Sequence, residues 1–301
     1  MRLSITVNFF AQPLVSSLDE CIADMQRCYD LGYRVLDAIM CQTAEPDSFL
    51  RLPDWEERMH ILAQAAKKIG VEFGQSHVPF YNVCQKPSTL PEDIDDMVDR
   101  SIRAAGILGA PWTVIHPGTA LGDPSPLKRS KQLNLDYMRK RLETAEDCGV
   151  GLAIENMNAV RGGGRERRYC SEVEDLCDLI DTLRMESSLV GACWDFGHAN
   201  TMYTTQAEAL KYLGERLKVT HVHDNNTTRD DHVAPFRGCI NWAEVMRTLA
   251  EMDYQHDFSY EVKRIADVRV PEEIKTSLRQ HLKVVGDYLI SLFDEARASM
   301  K

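Results

Sequence analysis

Residues 151–195 contain the unit that decides the fold. They read Gly-Leu-Ala-Ile-Glu-Asn at 151–156, continue into an amphipathic stretch at Ser171–Leu183, and end in Gly-Ala-Cys-Trp-Asp at 191–195. The two short runs have the length and apolar content of buried strands, and the stretch between them has helical periodicity. A strand, a helix and a second strand in this order form a parallel pair, because a parallel connection needs a long crossover. The segment therefore predicts a parallel sheet covered by helices.

The same alternation extends outward to both ends of the chain. The predicted strands are Leu3–Asn8, Arg34–Ile39, Glu72–His77, Trp112–His116, Gly151–Glu155, Gly191–Asp195, Lys218–His223 and Phe258–Val262. The predicted helices are Ser17–Leu31, Asp54–Ile69, Pro91–Leu108, Asn134–Cys148, Ser171–Leu183, Thr205–Leu213, Asn241–Met252 and Pro271 to about Arg297. Eight such units without an evident linker favour an α/β protein that forms one closed (β/α)8 barrel over residues 1–301, because closure removes both sheet edges.

Several helix ends carry their own signals. Ser171 with Glu174 fits a capping box at the start of the fifth helix. Glycines follow four of the predicted helices and lead into strands, as expected for residues that end a helix in the left-handed conformation. They are Gly32, Gly70, Gly109 and Gly149.

An open, doubly wound sheet is the competing architecture. It would bind a nucleotide at a G-x-G-x-x-G turn after its first strand. No such motif follows the first predicted strand here, and Gly162-Gly163-Gly164 lies in a loop after the fifth strand without that spacing. The glycine run therefore indicates a loop, and the sequence favours the closed barrel.

Composition limits the class of partner. The formal net charge of -11 would repel a polyanion, so nucleic acid is a disfavoured partner and a small molecule a favoured one. No apolar run is long enough to span a membrane, and the N-terminus reads as a strand, so we expect a cytoplasmic protein. The nine cysteines lack C-x-x-C spacing and are expected to be free thiols. The subunit number stays open, a homo-oligomer included.

Polar residues end six consecutive predicted strands. In a β/α barrel these ends meet at one face, where the active site lies. Each residue alone has an ordinary structural explanation, but burying three carboxylates close together without a cation is costly. The set therefore predicts a divalent metal, with Mn²⁺ or Zn²⁺ favoured and Mg²⁺ or Co²⁺ acceptable, because carboxylates and imidazoles occur without thiolates. The six residues are His77, His116, Glu155, Asp195, His221 and Glu261.

Two neighbouring histidines belong to the same face. His198 lies three residues after Asp195, so both side chains can point into the cavity. His221 and His223 are two residues apart on one strand and share a face, and this spacing does not decide which of them binds metal.

Short motifs from the third strand onward carry a family resemblance. They are His-Val-Pro-Phe at 77–80, Ile-His-Pro-Gly at 115–118, Ile-Glu-Asn at 154–156, Trp-Asp-Phe-Gly-His at 194–198, His-Val-His-Asp at 221–224, Asp-Asp-His at 230–232 and Tyr-Glu-Val at 260–262. In this order they resemble the xylose-isomerase-like TIM-barrel superfamily, which includes sugar phosphate isomerases and epimerases as well as endonuclease IV. The resemblance implies a four-ligand metal core of Glu155, Asp195, His221 and Glu261. It favours His221 over His223, because the family's ligand lies three residues before an acidic residue, here Asp224.

The resemblance also implies an activity. A metal-dependent isomerase or epimerase of a sugar, sugar phosphate or related keto-sugar would move a proton at carbon through an enediolate, with Glu155 and Glu261 as the acid/base pair. The expected substrate-binding residues are His198, His77, His116, Arg161, His223 and His232.

Two departures from the family pattern bear on the substrate. Arg161 lies where ketose 3-epimerases of the superfamily carry a carboxylate, and Phe236 replaces a glycine in the loop Pro235-Phe-Arg-Gly238. These changes predict a different pocket shape. The basic run from Arg161 to Arg168 would suit a phosphate or carboxylate on the substrate, and a solvated surface loop is the alternative interpretation.

A second function of a different class is compatible with the same residues. Endonuclease IV relatives hold three zinc ions, and the additional ligands of that pattern match His77, His116, His198, Asp230 and His232. A multinuclear zinc phosphodiesterase acting on abasic DNA is therefore the alternative hypothesis, against which the acidity of the chain argues. A binding protein on a barrel that has lost its activity is the third hypothesis, and the retention of every ligand type argues against it.

Overall fold

Eight parallel strands form the centre of the computed structural model, which describes residues 1–7, 17–41, 44, 48–158, 167–262 and 270–300. The strands are β1 (Leu3–Val7), β2 (Val35–Ile39), β3 (Glu72–His77), β4 (Trp112–Ile115), β5 (Gly151–Glu155), β6 (Val190–Asp195), β7 (Leu217–His221) and β8 (Phe258–Tyr260). Each pairs with its neighbour in chain order, and β1 also pairs with β8. One parallel bridge between Val222 and Tyr260 joins β7 to β8. The result is a nearly closed barrel, and the predicted fold class is confirmed.

Helices alternate with these strands. They are α1 (Leu18–Asp30), α2 (Trp55–Ile69), α3 (Ile94–Leu108), α4 (Pro126–Cys148), α5 (Val173–Arg184), α6 (Phe196–Asn200), α7 (Ala207–Leu213), α8 (Trp242–Glu251) and α9 (Glu272–Ser299). Short 3₁₀ turns occur at Phe49–Arg51 and Gly214–Arg216. Among the described residues, no helix is long and apolar enough to cross a bilayer.

Helix starts are the main errors of the sequence prediction. α4 begins at Pro126 and not at Asn134, because its first two turns are polar and carry no apolar periodicity, while Pro126 is suited to a first helical turn. α3 begins at Ile94 and not at Pro91. The short helix α6 was not predicted. It consists of five residues directly after β6, which is too few for periodicity to reveal.

The predicted capping box of α5 is wrong. Glu172 occupies the N-cap position, and the Ser171 hydroxyl donates to the backbone oxygen of Arg168. A capping box forms instead at α1, where Ser17 accepts from the Glu20 backbone N–H and the Glu20 side chain accepts from the Ser17 N–H. The glycine signals are correct, since Gly70, Gly109 and Gly149 end their helices with positive φ, as Gly32 does after α1.

The hydrophobic core is divided by the sheet. A large apolar cluster fills the layer between the barrel and its helices, and a small one inside the barrel contains Val114, Ala153, Cys193 and Val219. The rest of the interior is polar and hydrogen-bonded across the barrel. Gln75 of β3 donates to Asp37 of β2 at 2.9 Å and to the backbone oxygen of Thr220 on β7 at 3.3 Å. These polar side chains lie inside the barrel, as the strand-end residues do.

Candidate metal centre and substrate cavity

The carboxyl ends of β3 to β8 bring the predicted residues together. His77, Glu155, Asp195 and His221 are the last residues of β3, β5, β6 and β7. His116 and Glu261 each follow the last residue of β4 and β8 by one position. Because parallel strands end at the same face of a barrel, residues that lie up to 184 positions apart meet in one cluster.

The ring of His221 lies at the centre of the cluster. Its Nδ1 is fully buried and makes no hydrogen bond. This nitrogen lies 3.4 Å from Glu155 Oε2, 3.5 Å from Glu261 Oε2 and 3.9 Å from Asp195 Oδ2. A buried nitrogen surrounded by carboxylate oxygens at these distances is the arrangement of ligands that share a cation.

A second group shares Glu155 with this centre. His77 Nε2 and His116 Nε2 lie 3.1 Å apart, and both face Glu155 Oε2, at 3.4 and 2.9 Å. The ring of His77 also stacks on that of His221, with 5.5 Å between centroids. His77, Glu155 and His221 place their ligand atoms close enough together to hold a metal ion.

A third group lies on the other side of Glu155. Asp230 Oδ2 is 3.4 Å from His198 Nε2 and 3.1 Å from His232 Nε2. His232 has a φ of +49°, so the backbone adopts a left-handed conformation where it places this ring. His198 also approaches Glu155 Oε1, at 3.1 Å from its Nδ1, and so connects this group to the centre.

Three of the histidines are oriented by backbone carbonyls. A carbonyl oxygen only accepts hydrogen bonds, so the Nδ1 that contacts it carries a proton, and in the neutral ring Nε2 is the nitrogen left with a lone pair for a metal. This orientation is the one that metal-ligating histidines adopt. The pairs are His77 with the oxygen of Val78 at 2.7 Å, His198 with that of Asn156 at 2.9 Å, and His232 with that of Glu261 at 3.0 Å.

Asp195 is held in place by the start of α6 and by Asn156. Its Oδ1 accepts from the backbone N–H of His198 at 2.6 Å, which caps the helix. The amide of Asn156 accepts from the Asp195 N–H at 2.6 Å and donates to its carbonyl oxygen at 3.0 Å. The second carboxylate oxygen is therefore free to face His221 and His223.

His223 lies behind Asp195 and does not line the cavity. Its Nε2 is 2.9 Å from Asp195 Oδ2, and its ring stacks on that of His232 at 3.8 Å between centroids. Gly197 packs against the ring so closely that a Cβ at that position would lie 1.9 Å from it. His223 is not among the residues that line the cavity, and its expected contact with the substrate stays a prediction.

The cluster alternates negative and positive charge when no cation is included. Burial opposes ionisation of Glu155, yet His116 and His221 hold its pKa well below the usual value. Burial likewise lowers the pKa of His198, but Asp195, Asp230 and Glu155 raise it well above the usual value. A cation would replace the imidazolium protons as the positive charge, so its binding releases protons.

A cavity of about 800 Å³ opens over the cluster. Its floor includes four histidines and the carboxylates of Glu155, Asp230 and Glu261, whereas Asp195 and His221 lie beneath that floor. Phe80 is 55% exposed and stacks on His116 at 4.6 Å between centroids, so it forms an apolar wall beside the polar floor. The lining histidines are His77, His116, His198 and His232.

Other cavity and interior residues were missed or are not described. Arg161 lies outside the described residues. Arg168, from the same basic run, lines the cavity. Asp37 was missed, although a single aspartate inside the apolar strand Val-Leu-Asp-Ala-Ile was a usable signal. Asn158 and Tyr81 line the cavity from loops, and no periodic pattern identifies such positions.

The fold and the cluster define a class of protein: parallel β/α barrels that gather carboxylates and imidazoles at the carboxyl ends of their strands. Within that class, the chain belongs to the xylose isomerase-like TIM barrel family, whose sequence model matches residues 24–284. The resemblance drawn from the motifs is thereby confirmed.

Individual proteins are similar to this chain in sequence or in fold. The chain is 29% identical over 218 residues to an uncharacterized protein of Methanocaldococcus jannaschii, with 70% of each covered. It is 32% identical over 118 residues to a D-psicose 3-epimerase of Enterocloster bolteae, covering 39% of this chain and 35% of that protein. A probable endonuclease 4 of Mycoplasma pneumoniae is 22% identical over 190 residues, covering 58% and 62%. The crystal structure of a D-tagatose 3-epimerase-like protein superposes with a TM-score of 0.72 over 98% of this chain and 99% of that one, at 21% identity, a likeness of fold.

Proposed function

We propose that this protein is a divalent-metal-dependent isomerase or epimerase that moves a proton at a carbon atom of a sugar. The observation that carries the proposal is the buried Nδ1 of His221, which makes no hydrogen bond and faces three carboxylates within 3.9 Å. Sugar epimerases among the relatives and structural neighbours support the same reaction class.

Glu155, Asp195, His221 and Glu261 are the proposed metal ligands. Their donor atoms fit a divalent cation, and the oxygen and imidazole set suits Mn²⁺ or Zn²⁺, with Mg²⁺ or Co²⁺ acceptable. When bound, the cation supplies Lewis-acid stabilisation of negative charge on two neighbouring substrate oxygens.

Glu155 and Glu261 are the proposed acid/base pair. They extend from β5 and β8, and both line the cavity. His221 and His232 hold the pKa of Glu261 below its usual value although burial opposes this, so both carboxylates are ionised and able to accept a proton from carbon. The C–H bond breaks, its proton passes to one carboxylate oxygen, and its electron pair is delocalised onto the adjacent carbonyl oxygen as an enediolate. For isomerisation the same carboxyl group returns the proton to the neighbouring carbon; for epimerisation the other carboxyl group, protonated from solvent, returns a proton to the opposite face of the same carbon. His198 and His232, whose Nε2 atoms face the cavity side of Asp230, are proposed to hold substrate hydroxyl groups.

Solvent exchange tests this assignment. The metal-loaded protein should incorporate deuterium from D₂O into a ketose at the carbon that loses its proton, measured by NMR. Glu261→Gln should lower the rate of exchange by at least 10²-fold, the usual contribution of a general acid or base. The glutamine amide oxygen can still bind the metal, so this variant tests proton transfer separately from metal binding. Metal content is measured alongside, because loss of exchange with retained metal supports the acid/base role. Full exchange in Glu155→Gln and Glu261→Gln would refute it.

The second candidate is a multinuclear phosphodiesterase on abasic DNA. Beside the centre, His77 groups with Glu155 and His221, and His198, Asp230 and His232 form a group of their own. His116, whose Nε2 lies 2.9 Å from Glu155 Oε2, would be the fifth further ligand. The reaction separates the two proposals, since the isomerase exchanges a proton at carbon and the nuclease cleaves a phosphodiester bond. Nicking of an abasic duplex together with three zinc ions per chain would favour the nuclease.

A further inference from the structure

His223 is a fully buried histidine that contacts the proposed metal centre without being one of its four ligands. Its Nε2 lies 2.9 Å from Asp195 Oδ2, whereas Asp230 Oδ1 is 3.8 Å away. A carboxylate oxygen only accepts hydrogen bonds, so this Nε2 carries a proton and donates it to Asp195. The hydrogen bond connects His223 to the centre through Asp195.

The two carboxylate oxygens of Asp195 have different partners. Oδ1 accepts from the backbone N–H of His198 at 2.6 Å and is thereby fixed to the start of α6. Oδ2 accepts from His223 and is also the oxygen that faces His221 Nδ1, at 3.9 Å. A carboxylate oxygen has two lone pairs, so Oδ2 can accept this hydrogen bond with one and bind a cation with the other. Asp195 is therefore arranged to bind a metal ion through one oxygen.

Two contacts hold the ring of His223 in this position. The ring of His232 stacks on it, with 3.8 Å between centroids and 13° between planes. The backbone of Gly197 packs so closely that a Cβ there would lie 1.9 Å from the ring, and the Gly197 carbonyl is itself held by Asn225 Nδ2 at 2.8 Å. A side chain that is already confined loses little conformational freedom when it donates a hydrogen bond.

Direct metal binding by His223 is the alternative role. The donor atoms of His223, His232 and Glu261 lie close enough together to share an ion. A protonated nitrogen has no lone pair for a metal, however, so the Nε2 that donates to Asp195 cannot be that donor atom. His221 Nδ1 faces Glu155 and Glu261 at 3.4 and 3.5 Å, which makes His221 the better placed ligand.

We infer that His223 is a positioning residue, which holds Asp195 as a one-oxygen ligand of the divalent cation through the hydrogen bond from its Nε2. This inference rests on the proposed function, in which Asp195 is a metal ligand. A hydrogen-bonding partner behind a metal ligand fixes the orientation of that ligand, and its loss typically weakens metal binding by about 10- to 100-fold. His223 thus acts on the metal through Asp195.

Two substitutions of similar size separate the hydrogen bond from packing. His223→Gln keeps an N–H donor that can reach Asp195, whereas His223→Leu fills the space without one. In titrations of EDTA-treated and dialysed protein with Mn²⁺, we expect His223→Leu to bind about 10- to 100-fold more weakly than the wild type and His223→Gln within about threefold of it. The visible absorption spectrum of bound Co²⁺ reports ligand geometry and should change in His223→Leu only.

His256→Leu provides the control for loss of a histidine. His256 is partly buried and precedes β8, so it lies at the face of the barrel opposite the strand ends, and its substitution should leave metal affinity unchanged. Equal affinity in the wild type and in His223→Leu would overturn the inference. An equal loss in His223→Leu and His223→Gln would also overturn it, because packing would then be the role. Loss of a whole metal ion per chain in both variants would show that His223 is itself a ligand.

The metal-free wild type tests the hydrogen bond directly. Two-bond ¹H–¹⁵N NMR spectra of protein labelled with ¹⁵N-histidine, recorded in EDTA, should show a protonated Nε2 for the residue whose signals are absent from His223→Gln. An unprotonated Nε2 would overturn the inference. A wild type that binds no divalent cation would refute the proposed function and this inference together. A wild type that binds metal and exchanges deuterium into a ketose, with an unchanged metal affinity in His223→Leu, would refute the inference alone.

Discussion

Asp37 lies in the barrel interior at a cost in stability that can be measured. The residue is fully buried on β2, and its Oδ2 accepts from Gln75 at 2.9 Å and from Ser259 at 3.4 Å. Burial raises the pKa of Asp37 to about 6, although the positive charges of His221 and His77 and the hydrogen bond from Gln75 lower it. The perturbation is Asp37→Asn, which keeps the shape and an acceptor oxygen for Gln75 but removes the charge.

The size of the effect follows from the pKa. A folded-state value of about 6 against an unfolded value of 3.8 means that the folded protein binds the proton more tightly, so stability is greatest below pH 3.8 and falls as the pH rises through 6. A difference of about two units corresponds to about 3 kcal/mol at pH 8. For 301 residues, the entropy of unfolding is about 0.6 kcal/mol per kelvin. Removing the destabilisation of about 3 kcal/mol should therefore raise the Tm of Asp37→Asn at pH 8 by about 5 °C.

Urea and thermal unfolding of EDTA-treated protein at pH 4.5, 6 and 8 measure this effect. The free energy of unfolding of Asp37→Asn should exceed that of the wild type most at pH 8 and least at pH 4.5. Asp181 provides a control of opposite sense, because a hydrogen bond from Arg216 lowers its pKa and its stabilisation is lost as the pH falls. Its carboxylate is about half exposed, so Asp181→Asn should lower stability at pH 8 by less than about 1 kcal/mol. An Asp37→Asn protein that is no more stable than the wild type at pH 8 would refute the reasoning.

Three further predictions concern the cluster. Mn²⁺ at 100 times its Kd should raise the free energy of unfolding by about 2.7 kcal/mol, and therefore Tm by about 4 °C. Differential scanning calorimetry measures this shift, and His221→Ala should remove it. Gly197→Ala should displace the ring of His223, because the new Cβ would lie 1.9 Å from it. The variant should lose about 1–3 kcal/mol of unfolding free energy and bind metal more weakly in a titration. A metal affinity equal to that of the wild type would contradict the packing argument. Phe80→Ala should raise KM several-fold and leave kcat nearly unchanged in steady-state assays, since this exposed, cavity-lining ring stacks on His116 and has no group that can transfer a proton.

Strand ends were predictable because two independent patterns coincide there. An apolar run defines the strand, and the first polar residue after it marks the face at which parallel strands end, so Glu155, Asp195 and Glu261 follow from sequence alone. Spacing alone did not separate His221 from His223, since both rings share a face of the strand, and the choice of His221 came from the family resemblance. The close packing of His223 against Gly197 depends on tertiary structure and could not be predicted from the spacing. The start of α4 was also missed, because helix formation there depends on packing of a sparsely apolar segment and not on local periodicity.

Charge balance connects the candidate site to the stability of the whole barrel. Glu155, Asp195, Asp230 and Glu261 lie within one cluster, and Asp37 adds a further carboxyl group in the interior beneath it. Without a cation, protonated histidines relieve this repulsion, and the same low-dielectric surroundings oppose their protonation. A divalent cation supplies that charge without requiring a proton, so metal binding and folding should be coupled even when no substrate is present.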